Sequence, residues 1–254
     1  MSVRIAWERR GEGLPLVLIH GLGYARWGWE PVVDALAEHF EVLLFDNRGI
    51  GESDAPPGPY TAAEMAGDVF RVLDEAGVVR AHVLGTSLGG MIAQEVALSA
   101  PERVERVVLI CTTPGGSHAA PMPSQTVRLM TEATALEPLV ALRRFVENAL
   151  APEAPDELVE RILAHRIRTA QPPDAWLAQA AAGQAFDAWD RLPKIGAPTL
   201  VLHGEEDVVV DPANADLLVT RIPGARVETF PNCGHLFFWE QPARFVQVVK
   251  EFLE

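Results

Sequence analysis

Short apolar runs alternate along the chain with longer segments whose apolar residues recur every three to four positions. The runs Val3–Glu8, Pro15–His20, Glu41–Phe45, Ala81–Leu84, Arg106–Cys111, Thr199–His203 and Arg226–Phe230 are rich in Val, Leu and Ile and have the length of strands. Apolar residues run through most of them without strict alternation, which marks strands covered on both faces. The pattern therefore predicts an α/β fold: a mainly parallel, doubly wound sheet with helices on both sides. The first two runs are separated only by the stretch from Arg9 to Gly13, which predicts a hairpin and an antiparallel start to the sheet. Thr61-x-x-Glu64 reads as a capping box opening a helix that stops at Gly77. Asp211-Pro212 reads as an N-cap followed by proline at the first helical position. Pro242 opens a last helix with Phe245, Val248, Val249 and Phe252 at helical spacing.

Between Thr112 and Asp190 the strand signal stops. This stretch is rich in Ala, Leu, Arg and Glu and carries prolines at 114, 121, 123, 138, 152, 155, 172 and 173. It predicts three or four short helices broken at the prolines. Its place between two strands predicts a core built from residues 1–111 and 191–254, with residues 112–190 inserted as a helical cap. Such an insertion sits over the carboxyl ends of the strands, where open α/β sheets bind ligands. Leu, Met, Phe and Trp side chains of the cap, among them Met130, Phe145 and Trp176, are then expected to line an apolar pocket.

A chain of 254 residues with 48% hydrophobic and 22% charged residues is in the range of an ordinary globular protein. Its formal net charge of −14 supplies no basic field for nucleic acid or anionic membrane, so neither is expected as a partner. No apolar run reaches the roughly 18 residues of a membrane span. The charged stretch Met1–Arg10 lacks the apolar core of a signal peptide, which predicts a cytoplasmic protein; a monomer or a homodimer is expected. Cys111 and Cys233 lie outside any C-x-x-C or Cys/His spacing, so a disulfide framework and a structural zinc site are not expected.

The most telling segment is Gly85-Thr86-Ser87-Leu88-Gly89-Gly90, between an apolar run and a helix-period run. Small residues on both sides of a serine permit a sharp strand-to-helix turn that exposes its hydroxyl at a helix N-terminus, where developing negative charge is favoured. Ser87 is the predicted nucleophile. A serine hydroxyl needs a base, and the base needs an orienting acid. His235, in Asn232-Cys233-Gly234-His235, follows the last predicted strand and so lies at the same sheet edge. The other histidines fall on a helix, in the cap or in strands; His20 and His203 end strands but directly precede glycines and are expected to aim at their own strand ends. The acid is Asp207, on the loop after the penultimate strand, with Glu205, Glu206 and Asp211 as rivals; Asp211 already has an N-capping role. An oxyanion needs two preorganised N–H donors. Leu88, directly after the nucleophile, supplies one; Leu22, in His20-Gly21-Leu22-Gly23, supplies the other.

With these motifs assembled, the chain resembles the α/β-hydrolase superfamily over essentially its whole length. The resemblance rests on His20-Gly21, Asp46-x-Arg48-Gly49-x-Gly51-x-Ser53, Gly-x-Ser87-x-Gly, Gly204-x-x-Asp207 and Gly234-His235, in family order. Within it, the chain is similar to small capped bacterial esterases, enol-lactonases and metal-free haloperoxidase-like enzymes. The resemblance implies a serine hydrolase of small carboxylic esters or lactones that works without cofactor or metal. Sibling groups depart from it. Epoxide hydrolases and haloalkane dehalogenases carry an aspartate where this chain has Ser87. C–C bond hydrolases typically carry tryptophan directly after the catalytic histidine, where this chain has Leu236. C–C hydrolysis or perhydrolysis on the same triad, and a non-catalytic receptor for a small ligand, are the alternatives. A nicotinamide enzyme is disfavoured, because Gly21-Leu22-Gly23 lacks the third glycine of a dinucleotide fingerprint: Arg26 stands there. Cap arginines at 128, 143, 144, 161, 166 and 168 are interleaved with glutamates, the pattern of a solvated face.

Overall fold

Strands β2 (Leu14–Ile19) and β4 (Ala81–Thr86) bury side chains on both faces, so each needs a strand on either side and helices above and below. In the computed structural model, which describes residues 3–254, they lie side by side in the middle of a seven-stranded sheet. The other strands are β1 (Trp7–Arg10), β3 (Phe40–Phe45), β5 (Val104–Ile110), β6 (Thr199–Gly204) and β7 (Arg226–Phe230). The order across the sheet is β1-β3-β2-β4-β5-β6-β7, parallel throughout except for β1 against β3.

The expected hairpin between the first two strands does not form. β3 lies between them, with Trp7 opposite Phe45 and Arg10 opposite Val42. Trp-Glu-Arg-Arg has charged, partly exposed side chains suited to an edge, whereas Leu14–Ile19 requires two strand neighbours. The sheet does open antiparallel, but through β1 and β3, and the ladder begins at Trp7 rather than Val3.

Successive strand residues feed two cores, as the two-residue period demands. On one face Val17, Ile19, Val83, Leu109 and Val201 pack under α2 (Ala62–Glu75), α3 (Leu88–Ser99) and α8 (Ala213–Arg221). On the other, Leu16, Leu18, Leu84, Val108 and Leu202 pack under α1 (Val33–Ala37) and α10 (Pro242–Leu253). Each fully buried aliphatic side chain contributes about 1.5–3 kcal/mol over leaving it in water. The capping box at Thr61 is complete in both directions, and Gly77 follows α2 with φ +73°. The Asp211 carboxylate accepts the Ala213 amide at 2.9 Å, holding the start of α8.

Four helices lie between β5 and β6: α4 (Ser124–Ala133), α5 (Pro138–Asn148), α6 (Asp156–Arg168) and α7 (Pro173–Ala185). Prolines stand at or just before each start, at 123, 138, 155, 172 and 173, where a missing N–H costs nothing. Two short helices complete the chain's ordered elements relevant below: a 3₁₀ turn at Arg26–Trp29 and α9 (Phe237–Glu240). No helix among the described residues is long and apolar enough to cross a membrane.

Two glycines test this packing in opposite directions. A Cβ at Gly89 would overlap the Ile19 carbonyl oxygen, because the first turn of α3 rests on the end of β2. Gly67, exposed in α2, has open space where a Cβ would go. Gly67→Ala should raise the unfolding free energy by about 0.5–1 kcal/mol. Gly89→Ala should lower it by about 1–3 kcal/mol through overpacking. Urea unfolding of the two variants checks both signs.

Candidate active site

Ser87 sits between β4 and α3 with φ 55° and ψ −121°, a left-handed backbone that a side-chain-bearing residue adopts only under constraint. Four hydrogen bonds hold it there. Its amide donates to the Ile110 carbonyl at 2.8 Å, and its carbonyl accepts from the Gly90 amide at 2.9 Å, the Met91 amide at 3.3 Å and Thr112 Oγ1 at 2.7 Å. The turn passes against the segment after β2: a Cβ on Gly21 would stand 2.9 Å from Ser87 Cβ and 3.4 Å from its Oγ. The β2/β4 boundary is also where strand order reverses, which is where open α/β sheets form their ligand crevice.

His235 follows β7 on a loop tied down from two sides. Glu240, in α9, accepts the Gly234 amide through one carboxylate oxygen and the Ala151 amide through the other, both at 2.8 Å. The Leu236 amide donates to the Ala149 carbonyl at 2.9 Å. Burial raises the Glu240 carboxyl above its ordinary range, against the pull of those two amides.

His235 Nδ1 lies 2.8 Å from Asp207 Oδ2. Asp207 is buried, and its other oxygen accepts the amides of Val209 at 2.8 Å and Val210 at 2.9 Å. Burial alone would push this carboxyl up; the imidazoles of His235 and His203 outweigh it and hold the group well below the usual carboxylate range. The rival acids are engaged elsewhere. Glu205 accepts the Thr229 hydroxyl at 2.7 Å, Glu206 is exposed, and Asp211 serves α8. Of the four carboxylates, Asp207 is the one bonded to His235.

His20, at the end of β2, is buried in an aromatic box, stacked on Tyr24 at 4.7 Å and tilted against Trp29 at 4.9 Å. Its Nδ1 accepts the Gly21 amide at 2.7 Å, so it does turn back on its own strand end. Burial, with the nearby His235 ring and Arg166 adding to it, lowers its pKa to about 3. The Gly21 amide is thereby occupied; the next amide along is that of Leu22, one of the two expected oxyanion donors. The other, Leu88, opens α3, where the first amides have no carbonyl one turn back.

His203 departs from expectation. Rather than aiming only along its own strand, it places Nε2 3.1 Å from Asp207 Oδ2 and 3.0 Å from the Val210 carbonyl. The i, i+4 spacing across the turn after β6 is the only trace of this in the sequence. Folding also brings Cys111, at the end of β5, to the same place: its sulfur, a ring nitrogen of His203 and a carboxylate oxygen of Asp207 lie within 4.8 Å of one another. This is a hydrogen-bonded cluster rather than a cation cradle. The Asp207 oxygens already accept three hydrogen bonds and have His203 Nε2 at 3.1 Å, and burial pushes the Cys111 thiol well up, away from the thiolate that a metal needs.

Asp46 is taken up by its own loop, accepting the amides of Arg26 at 2.8 Å and Glu52 at 2.9 Å. That leaves it no ribose-binding role. Helices α6 and α7 close over the region. Gly183 of α7 faces Leu88 and Met91, and Gln179 donates to the Arg48 carbonyl at 2.7 Å. On α6, His165 stacks on Trp27 at 4.7 Å, while Arg166 lies 4.8 Å over the Tyr24 ring with a guanidinium nitrogen 3.0 Å from where a Gly23 Cβ would be. Arg143, Arg144 and Arg161 are ion-paired with glutamates; no salt bridge involves Arg166 among the described residues. Met130 is 40% exposed, and Phe145 and Trp176 are half-buried. A groove of about 680 Å³ between α4 and α5 is lined by Arg128, Glu132, Arg144 and Glu147 and reaches Glu206, not Ser87.

Comparison with known proteins identifies the family of the fold. Residues 15–242 match the family model described as alpha/beta hydrolase fold. The chain is 34% identical over 252 residues to the 2-hydroxy-6-oxononadienedioate/2-hydroxy-6-oxononatrienedioate hydrolase of Cupriavidus pinatubonensis, covering 94% of this chain and 86% of that protein. It is 31% identical over 245 residues to the pimeloyl-[acyl-carrier protein] methyl ester esterase of Nitrosomonas europaea, covering 94% and 95%. Among solved structures, the enol-lactonase from Burkholderia xenovorans LB400 superposes with a TM-score of 0.86 at 30% identity, covering 99% of this chain and 96% of that one. With the strand order, the strained serine turn and the family match in agreement, the chain belongs to the α/β-hydrolase family.

Proposed function

We propose that this chain is a serine hydrolase of small carboxylic esters or lactones. The observation that carries the reading is the buried Asp207–His235 pair, 2.8 Å apart, on loops at the sheet edge that also carries the strained Ser87 turn. In the proposed reaction Ser87 Oγ attacks the substrate carbonyl while His235 Nε2 takes its proton. The Leu22 and Leu88 amides receive the developing oxyanion. His235 then returns the proton to the leaving alcohol, leaving an acyl group on Ser87. Water, deprotonated by the same imidazole, releases the acid. Asp207 fixes the Nδ1–H tautomer and stabilises the imidazolium formed in each half. No step requires a cofactor or metal.

Residues 112–190 serve, in this reading, as the cap that selects substrates, with α6 and α7 over the Ser87 turn. Arg166 supports a further detail: it is a half-buried cation near the Leu22 turn that no carboxylate neutralises among the described residues, so an ester or lactone bearing its own carboxylate is favoured. A second reading, hydrolysis of a C–C bond in a 2-hydroxy-6-oxo dienoate, is favoured by what the Cupriavidus relative is named for. Parallel assay of such a substrate and of simple esters separates the two.

Ser87→Ala should fold normally, lose labelling by a fluorophosphonate probe and lose about 10⁴–10⁶ in kcat; persistent labelling and turnover would overturn the reading. Asp207→Asn should cost about 10⁴ in kcat, whereas Asp211→Asn should leave turnover intact and change only stability, slightly, since asparagine also caps helices. An inactive Asp211 variant with an active Asp207 variant would move the acid to the other residue. Arg166→Gln should raise KM about 10- to 100-fold for carboxylate-bearing esters, the worth of a hydrogen bond to a charged group. Neutral esters of the same length should be unaffected, and steady-state kinetics on matched pairs reads the difference.

A further inference from the structure

Resting on the serine-hydrolase reading, we propose that His203 is a positioning residue: it shares Asp207 Oδ2 with His235, fixing the direction of that oxygen and limiting its pull on the base. The two imidazoles approach the same carboxylate oxygen from β6 and from the loop after β7, at 3.1 Å and 2.8 Å. Both His203 and Asp207 side chains are completely buried.

The proton on His203 is placed by its second contact. Nε2 is 3.0 Å from the Val210 carbonyl oxygen, which can only accept, so Nε2 carries the hydrogen and directs it at that carbonyl, with Asp207 Oδ2 beside the same nitrogen at 3.1 Å. Val210 closes the ring from the other side, its amide donating to Oδ1 at 2.9 Å. Asp207 is thus clamped: Oδ1 by two backbone amides, and Oδ2 by the His235 hydrogen bond with the His203 ring nitrogen against it at 3.1 Å. The carboxylate cannot turn away from His235 without breaking contacts at both oxygens.

The remaining nitrogen, Nδ1 of His203, is buried and has no hydrogen-bond partner among the described residues. A side chain serving only to fill space would avoid that cost by being apolar. What the imidazole adds over a hydrocarbon is one N–H, bonded to the Val210 carbonyl, whose nitrogen lies 3.1 Å from Oδ2. That N–H spreads the charge of Oδ2, so it stabilises the imidazolium of His235 less than a singly bonded carboxylate would.

Other titratable or charged groups near this cluster are His20 from β2, Cys111 from β5, Glu206 beside the acid and Glu240 from α9, with Arg166 of α6 reaching His20. Each of these groups keeps its identity in the His203 variants, and of them Cys111 is the one that lies within 4.8 Å of both His203 and Asp207.

The test uses His203→Phe, which keeps a flat ring and removes the donor, and His203→Gln, whose amide restores one. Turnover of a neutral ester across pH is measured together with the downfield Nδ1 proton resonance of His235, which needs no substrate. His203→Phe should lower kcat about 10-fold, the worth of one buried hydrogen bond, with KM nearly unchanged. Its acid limb in kcat/KM should move to higher pH, and the His235 resonance should shift. His203→Gln should recover most of the rate and return the limb. An unmoved limb and resonance in His203→Phe, or equal loss in both variants without a shift, overturns the proposal. Should the Phe variant not fold, His203→Asn, with an amide too short for Oδ2, takes its place with the same expectations. If the wild type shows no Ser87-dependent ester turnover, the hydrolase reading fails, and the resonance alone still decides whether His203 governs the Asp207–His235 bond.

Discussion

The candidate site depends on how closely the end of β2 can approach the turn after β4. These two strands are neighbours at the point where strand order reverses, so the segments leaving them diverge to opposite faces of the sheet. The gap they leave is narrow enough that Gly21 touches Ser87 and α3 begins against the Ile19 carbonyl. Holding a serine at φ 55° costs on the order of 1–3 kcal/mol. The Ile110, Gly90 and Thr112 hydrogen bonds, and the apolar packing of α3 beneath them, offset that cost. The strain is local, while the support comes from β5, the segment after it and α3.

Burial of polar groups is the second organising element. His20, Asp207, His203 and Cys111 all lie where water does not reach, and each shapes its neighbour's chemistry. In such surroundings a carboxylate persists only if its hydrogen-bonding capacity is met, and Asp207 meets that condition with three hydrogen bonds and the His203 ring nitrogen at 3.1 Å. His20 solves the opposite problem: boxed by Tyr24 and Trp29, it remains uncharged, so its ring can accept the Gly21 amide without placing a second cation beside His235.

Much of this was legible in the residues themselves. Seven apolar runs mark all seven strands to within a few positions, because a buried strand must be apolar on both faces, and prolines mark the helix starts between β5 and β6. The pairing of His235 with Asp207 follows from both lying on loops after the last two strands. The first strand's partner was not legible. Loop length alone favours a hairpin, whereas edge polarity and the need of Leu14–Ile19 for two neighbours decide for β3. Nor were the roles of His203, Cys111 and Glu240, since each depends on contacts across loops whose course has no periodicity. The orientation of individual side chains on α4 to α7 was equally hidden, because apolar spacing on a helix tells which face is buried but not against what.

The Glu240 bridge has a consequence for engineering. One carboxylate grips both the amide before His235 and the amide of Ala151, and the Ala149 carbonyl holds Leu236. The connection between α5 and α6 is therefore a structural strut of the histidine loop. Exchanging the helices between β5 and β6 for those of a relative, as a way of importing a new specificity, transplants a piece of that support as well. A graft that begins after Ala151 or retains residues 149–151 preserves the strut; one that cuts through it unmoors the imidazole while leaving the sheet intact.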